Sequence, residues 1–281
     1  MHYLDRHYDW QTAKIVSIFD ELPLWSAAPG QLLLDHLPLA PQLQVLDLGF
    51  GTGFPLLHLA QRLGPSSTVY GLDLWTEALK RAQHKIDVIG LSNVHLVEGD
   101  AAQIPFPDAS LDLITSNLGI NNFAASETVV QECYRVLKPS GRLAISSNLV
   151  GTFSIFYDHC IRIAQKRKAK EIAAKFGEQV QARSTFLAMQ ELLAQAGFQI
   201  TQTVQKTSTM RFLDGTAFLN DHFILLGFMP TWKNAVPAAE QHSFFTEVEQ
   251  ALNHTAATLG VLALEVPIAY VEGLKPNEKE E

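Results

Sequence analysis

The 281-residue chain predicts an α/β fold, a seven-stranded, mostly parallel sheet flanked by helices. Three observations carry that expectation. Short β-rich runs alternate with helical runs from Gln44 to Ser147. A glycine-rich stretch, Asp47-Leu48-Gly49-Phe50-Gly51-Thr52-Gly53, joins the first strand of that alternation to its first helix. Three strands end in or at an aspartate: Asp47, Asp73 and Asp100. Parallel neighbours need crossover connections, and right-handed crossovers lay the helices on the faces of the sheet.

The elements follow in order. Residues 8–21 space Ile15, Ile18, Phe19 and Leu22 as a helix does and stop at Pro23; a second helix through Leu37 takes Pro29 as its first-turn proline. Residues 45–48 read as a buried strand, 54–63 as a helix, 68–72 as a strand, and 76–89 as a helix closed by Gly90. Strands at 94–97, 111–115 and 142–147 come next, with a helix over 126–137 and a turn at Pro139-Ser140-Gly141 before the last of them. Beyond Ser147, residues 153–175 read as helical and 184–196 as a helix with Gly197 at the C-cap. The Thr- and Val-rich run 198–212 reads as a strand, 218–228 as an apolar helix and 240–259 as an amphipathic helix. Residues 261–271 form the last strand, with Pro267 marking a bulge or an unpaired position. If the last two strands pair, residues 214–260 are an insertion between them, a natural lid. The expected division is an N-terminal helical cap over 1–40, a ligand-binding core over 41–150, and a C-terminal part over 151–281 holding the last two strands and the lid insertions.

Composition narrows the function. Hydrophobic residues make up 47% and charged residues 18%, as in a folded protein with a sizeable core. Lys and Arg total 21 against 29 Asp and Glu, a net charge of -8, which suits nucleic-acid phosphates poorly. Cys133 and Cys160 are the two cysteines; there is no CxxC and no His/Cys cluster at metal-ligand spacing, so neither a disulfide scaffold nor a metal is expected. The start, Met1 to His7, lacks the basic-then-apolar order of a signal peptide, and the apolar run 223–229 is too short to span a bilayer. These features predict a cytoplasmic protein with a small-molecule substrate, no nucleic-acid or membrane partner, and a monomeric or homodimeric state. The charged tail from Asn277 to Glu281 reads as frayed.

The glycine stretch lets the backbone turn sharply and lets a ligand approach the main chain, while the helix behind it offers free N–H groups. A dinucleotide loop, G-x-G-x-x-G, would need glycine at position 54 or 56, where the chain has Phe54 and Leu56. Asp73, twenty residues after Gly53, can accept hydrogen bonds from ribose hydroxyls or cap the next helix.

The G-x-G-x-G form preceded by an acid resembles motif I of class I S-adenosylmethionine (SAM)-dependent methyltransferases. Ile104-Pro105-Phe106-Pro107-Asp108-Ala109-Ser110-Leu111-Asp112-Leu113-Ile114 resembles the segment before strand four in the UbiE-like (type 11) members, and Glu132-Cys133-Tyr134-Arg135-Val136-Leu137-Lys138-Pro139-Ser140-Gly141 resembles their helix and turn before strand five. The resemblance covers residues 42–148 and implies a Rossmann-like methyltransferase fold with S-adenosyl-L-methionine as cofactor. It implies that Gly49, Phe50, Gly51 and Gly53 shape the cofactor loop, with Asp47 near the methionine amino group. Asp73 and Leu74 would lie at the ribose, Asp100 and Ala101 at the adenine, and Asn117 alongside the cofactor.

Methyl transfer from a sulfonium needs alignment and exclusion of water, and a base only if the acceptor carries a proton that must leave. Asn121 and Asn122 are the substrate-binding candidates; many relatives carry histidines near this position, and this chain departs from them. Asn148, Tyr157 and His222 are the catalytic candidates. Phe153, Phe156, Phe212, Phe218 and Phe223 could wall an apolar pocket, and Tyr3, Tyr8, Trp25 and Ser26 could close over the cofactor. The expected function is methyl transfer from SAM to O, N or C of a small apolar or aromatic metabolite. The alternatives are a SAM-binding regulatory module without methyl transfer, or a nucleic-acid methyltransferase. Against the last, Asn117-Leu118-Gly119-Ile120 stands where a [DN]-P-P-[YF] motif would be, and neither cysteine follows a proline.

Overall fold

Strand β1 (Gln44–Leu48) lies inside the sheet, and Val45, Leu46 and Leu48 are at most 1% exposed, as a strand covered on both faces requires. In the computed structural model, which describes residues 2–277, β1 pairs in parallel with β2 (Thr68–Asp73) on one side and β4 (Leu111–Asn117) on the other. Outside them, β3 (Val94–Glu98) pairs with β2 and β5 (Leu137–Asn148) with β4, again in parallel. β7 (Leu262–Leu274) runs antiparallel to β5, and β6 (Gln199–Phe212) closes that edge, giving the order β3-β2-β1-β4-β5-β7-β6. Strand order reverses between β1 and β4, and open α/β sheets bind ligands at the carboxyl ends of strands beside such a switch. Residues 278–281 of the charged tail lie outside the described residues.

Helices α3 (Leu56–Leu63), α4 (Thr76–Ile89) and α5 (Ser126–Val136) follow the expected segments closely. α4 ends at Gly90, left-handed at φ 77°, and α8 (Phe186–Gln195) starts where the Thr185 hydroxyl accepts from the Ala188 N–H. α1 (Ala13–Glu21) is shorter than expected. α2 (Leu24–His36) begins five residues before Pro29, which therefore lies inside the helix; burial of Leu32, Leu33 and Leu34 outweighs the N–H that Pro29 cannot donate.

The turn expected at Pro139-Ser140-Gly141 is a bulge within β5. Leu111 pairs with Leu137 and Leu113 with Arg142, so residues 138–141 all stand opposite Asp112. Ser140 takes up a left-handed φ of 65° there, and its N–H and the Gly141 carbonyl both bond to Lys275. The single helix expected over 153–175 is two, α6 (Ser154–Lys166) and α7 (Lys170–Gln181), parted at Lys168, φ 59°. The segment 218–228 divides into α9 (Gly215–Leu219) and a π-helical turn (Ile224–Phe228), followed by α10 (Met229–Asn234) and α11 (Gln241–Leu259). Pro267 stands one residue beyond the last β5–β7 pair, Asn148 with Ile268.

The chain divides into two compact units, a sheet unit (Trp10–Asn148, Thr185–Lys206, Ile268–Glu281) and a helical unit (Met1–Asp9, Leu149–Ser184, Thr207–Pro267). Of the first forty residues, those up to Asp9 belong to the helical unit and those from Trp10 to the sheet unit. The helical unit has an aromatic core: Phe156 lies 3.9 Å from Trp232, and Phe176 stacks on Phe244 at 5.7 Å. Phe153, Phe156 and Phe218, read from the sequence as pocket walls, are fully buried members of that core.

Candidate functional site

Behind β1 the chain turns through Gly49, Gly51 and Gly53, all left-handed at φ 71°, 55° and 107°. A Cβ at Gly53 would stand 2.9 Å from Leu57 Cδ1, the movable end of a side chain, so it is the left-handed conformation that demands glycine there. The loop is held by Asp73: Oδ2 accepts from the Gly51 N–H at 2.7 Å and Oδ1 from the Trp75 N–H at 2.9 Å. Asp73 is therefore a backbone brace at the start of α4, and each of its oxygens keeps a further lone pair.

Asp47 pairs across the sheet with Gly71 and Thr115, two residues deeper than the end of β2. Its Oδ1 accepts from the Thr115 hydroxyl at 2.7 Å; Oδ2 is buried without a partner among the described residues. Burial pushes the carboxyl pKa up to about 7, opposed by the Thr115 bond and assisted by the negative charge of Asp73. A buried, acceptor-only oxygen without a donor is costly, and a bound N–H or ammonium would relieve it.

Asp100 is exposed at the carboxyl end of β3, where Oδ1 accepts from the Ala102 N–H at 2.9 Å; Ala101 is buried and Leu74 exposed. Phe50 lends the loop only its backbone, since its ring packs at Gly71, where a Cβ would come 2.7 Å from Phe50 Cδ1. The Asn117 side chain is spent on the protein itself: Oδ1 accepts from the Ser146 hydroxyl at 2.9 Å, and Nδ2 donates to the Ser26 carbonyl at 3.2 Å. Asn121 and Asn122 are exposed in the turn after β4. Asn121 Nδ2 donates to the Asn148 carbonyl (3.2 Å) and to Asn148 Oδ1 (2.9 Å), while Asn122 Nδ2 donates to the Leu118 carbonyl at 3.3 Å.

Tyr157 and His222 belong to the helical unit. The Tyr157 hydroxyl accepts from Trp232 Nε1 at 3.0 Å and from the Arg183 guanidinium at 3.2 Å. His222 stands edge-on to Tyr8, ring centroids 5.6 Å apart, and its Nε2 is buried without a partner among the described residues. Burial holds the His222 pKa below its ordinary value, against the opposing charge of Asp221.

Two contributors were not named from the sequence. Thr115, the partner of Asp47, is 68 residues away in sequence and reaches it only through the β1–β4 pairing. Gly30 in α2 lies so near the glycine loop that a Cβ there would come 2.2 Å from Phe54 Cε1 and 3.0 Å from Asn117 Nδ2. The Pro29-Gly30 pair inside a helix is the one feature of the sequence that could have pointed to it. Next to Asp73 and Leu74, Trp75 donates to the Trp10 carbonyl at 2.8 Å and forms a ring cluster with Trp10 and Phe19. Asp20 of α1 binds Arg81 and Lys85 of α4 at 2.7 and 2.5 Å, tying the N-terminal helix to the site's flank.

Residues 46–145 match the family described as a methyltransferase domain. Over 98 residues, 35% of this chain, the sequence is 42% identical to demethylmenaquinone methyltransferase of Geobacillus kaustophilus, and the match covers 42% of that relative. The chain thus spans less than half the length of this curated relative. Among solved structures, a Bacillus halodurans protein assigned to the methyltransferases is 22% identical, with a TM-score of 0.59 over 88% of this chain and 99% of that one. Phosphoethanolamine N-methyltransferase 2 of Haemonchus contortus, solved with S-adenosyl-L-methionine, is 18% identical, with a TM-score of 0.53 over 88% of this chain and 52% of that one. At such identities the structures show the fold alone. Residues 46–145 thus resemble the class I SAM-dependent methyltransferase domains of the UbiE-like type.

Proposed function

We propose that the chain is a SAM-dependent methyltransferase that methylates O, N or C of a small, apolar or aromatic metabolite. The observation that carries the cofactor assignment is Asp47 Oδ2, buried directly behind the glycine loop and lacking a donor among the described residues. The amino group of SAM has the charge and the N–H donors that this oxygen lacks. Asp73 would take the ribose hydroxyls on its remaining lone pairs while still bracing Gly51, and Asp100 with Ala101 would meet the adenine. When bound, SAM supplies a methyl group on a sulfonium, whose charge is neutralised on transfer.

The chain's own work is then to hold and orient. The loop backbone and Asp73 fix the cofactor in place, and water exclusion raises the worth of each polar contact. Of the three catalytic candidates, His222 is suited to take a proton, because burial favours the neutral imidazole and Nε2 has no partner among the described residues. Tyr157, with two donors on its hydroxyl, acts as an anchor, and Asn148 orients through its bond with Asn121. A small acceptor accords with the net charge of -8 and with a structure in which no described helix is long and apolar enough to cross a membrane. Buried thiols at Cys133 and Cys160 suit a reducing compartment, and the cytoplasm is the setting we propose.

Calorimetric titration with SAM and S-adenosylhomocysteine, with NAD as control, tests the reading. Micromolar binding of the sulfur ligands without NAD binding supports it and opens a labelled-methyl screen of small acceptors. A folded chain that binds neither sulfur ligand overturns it.

A further inference from the structure

The N-terminal residues of the helical unit bring together three metal-ligating side chains that the sequence keeps far apart. His2 and Asp5 flank two buried residues, Tyr3 and Leu4, each 3% exposed. The Tyr3 hydroxyl donates to the Phe245 carbonyl at 3.4 Å, and the Leu4 carbonyl accepts from Lys233 Nζ at 2.7 Å. These anchors hold the segment against α10 and the first turns of α11, where His242 stands. His242 Nε2 lies 3.1 Å from Asp5 Oδ1, and the His2 and His242 rings are 4.9 Å apart between centroids. One ligand atom from each of His2, Asp5 and His242 falls within 4.8 Å of the other two.

We propose that His2, Asp5 and His242 bind a zinc-class divalent cation, which staples the N-terminal segment to α11. Two imidazoles and one carboxylate are the donor set that suits Zn²⁺, Ni²⁺ or Co²⁺; Mg²⁺ and Ca²⁺ prefer oxygen. Metal–ligand bonds of about 2.0–2.1 Å put neighbouring donors roughly 3–3.5 Å apart, so the Asp5–His242 edge already has the spacing, and a small rotation of His2 closes the third corner. Binding replaces the Asp5–His242 contact with two metal bonds and leaves His242 protonated on Nδ1. His2 gives up one long bond, that from the Leu4 N–H to Nδ1 at 3.3 Å. All three side chains are exposed, so water completes the coordination and the cation can enter directly. With all three donors in the helical unit and none among the cofactor-loop residues, the role is structural: two chain segments more than 230 residues apart become one cross-link.

The test is titration of the untagged full chain with ZnCl₂, followed by calorimetry and by the rise in Tm. Wild type should bind one Zn²⁺ at micromolar affinity and gain thermal stability. Asp5→Asn and His242→Ala should each weaken binding by about 10-fold or more and erase the gain in Tm. His254→Ala, in an exposed histidine on the same helix, should change neither. If no Zn²⁺ binds at millimolar concentration, the trio is an ordinary surface hydrogen bond with a neighbouring imidazole. Zn²⁺ binding undiminished in Asp5→Asn and His242→Ala would likewise overturn the site.

Discussion

The two compact units spend their buried polar groups differently. In the helical unit, polar atoms in the aromatic core close on one another: Trp232 Nε1 and the Arg183 guanidinium both end on the Tyr157 hydroxyl, amid rings that are almost wholly buried. In the sheet unit, the carboxyl ends of β1 and β2 hold two aspartates whose acceptor capacity is not exhausted. A closed network of the first kind supports a fold, whereas open acceptors at strand ends are the mark of a ligand site. The contrast is not complete, because the helical unit also holds His222, with a buried Nε2 that finds no donor or acceptor among the described residues. Burial acts alike on the two groups: it pushes Asp47 up and His222 down, in each case toward the neutral form.

Removing the largest closed group gives the strongest test of this difference. Trp232→Ala deletes a fully buried indole, its tilted ring contact with Phe156 and its bond to Tyr157. The expected cost is about 3–5 kcal/mol of stability, read from denaturant unfolding. SAM affinity of the folded fraction should stay at the wild-type value. A variant that unfolds normally but loses SAM binding would show that the aromatic core serves the cofactor as well as the fold.

Asp73→Ala reverses the pattern. It removes the brace on Gly51 and the proposed ribose acceptor, and should weaken SAM binding by about 1–3 kcal/mol with a smaller loss of stability. Unchanged calorimetric affinity in the folded variant would leave Asp73 a helix-start brace only.

Asp47 supplies the pH dependence. Its folded-state pKa of about 7 is raised from 3.8, so the folded protein binds more protons than the unfolded chain between those values. Stability of the unliganded protein therefore falls as pH rises from about 4 to about 7, and Asp47→Asn should flatten that slope. SAM binding runs the other way, because its amino group pairs with the ionised carboxylate. Affinity should rise by about 10-fold between pH 6 and pH 8 in wild type and stay nearly level in Asp47→Asn. An equal rise in both proteins would assign the titration elsewhere.

These residues also mark what can be read from sequence. The loop, its three glycines and the acids at the strand ends were legible because each lies next to a strand or a helix start within a few residues. Partners brought in by pairing across the sheet were not: Thr115 for Asp47, Ser146 for Asn117, and Gly30 behind Phe54 depend on which strand lies beside which. Local chemistry also misled where tertiary packing overrode it. Pro139-Ser140-Gly141 has turn composition and forms a bulge, because Lys275 of the last strand's end supplies its backbone partners. Lys168 interrupts a helical pattern at a left-handed φ that its residue type does not advertise. In the helical unit, periodicity revealed most helices but not which residues the folded chain would leave unpartnered.

The smallest effect comes from a position inside the sheet unit that takes no part in the site. Gly90 ends α4 at φ 77°, and a Cβ there would meet nothing within 4 Å. Gly90→Ala therefore isolates the conformational cost of the left-handed cap, about 1 kcal/mol, from any steric cost. For a domain of this size that is a drop in Tm of roughly 2–4 °C. The N-terminal end of α4, where Asp73 accepts from Trp75, is fourteen residues away along the helix and should not respond. Equal SAM affinity in Gly90→Ala and wild type would show that the site depends on the start of α4 and is indifferent to its end. A loss of binding as large as that of Asp73→Ala would mean instead that the helix transmits disorder along its length, and that rigidity of the sheet unit, beyond its strand-end acids, is part of the cofactor site.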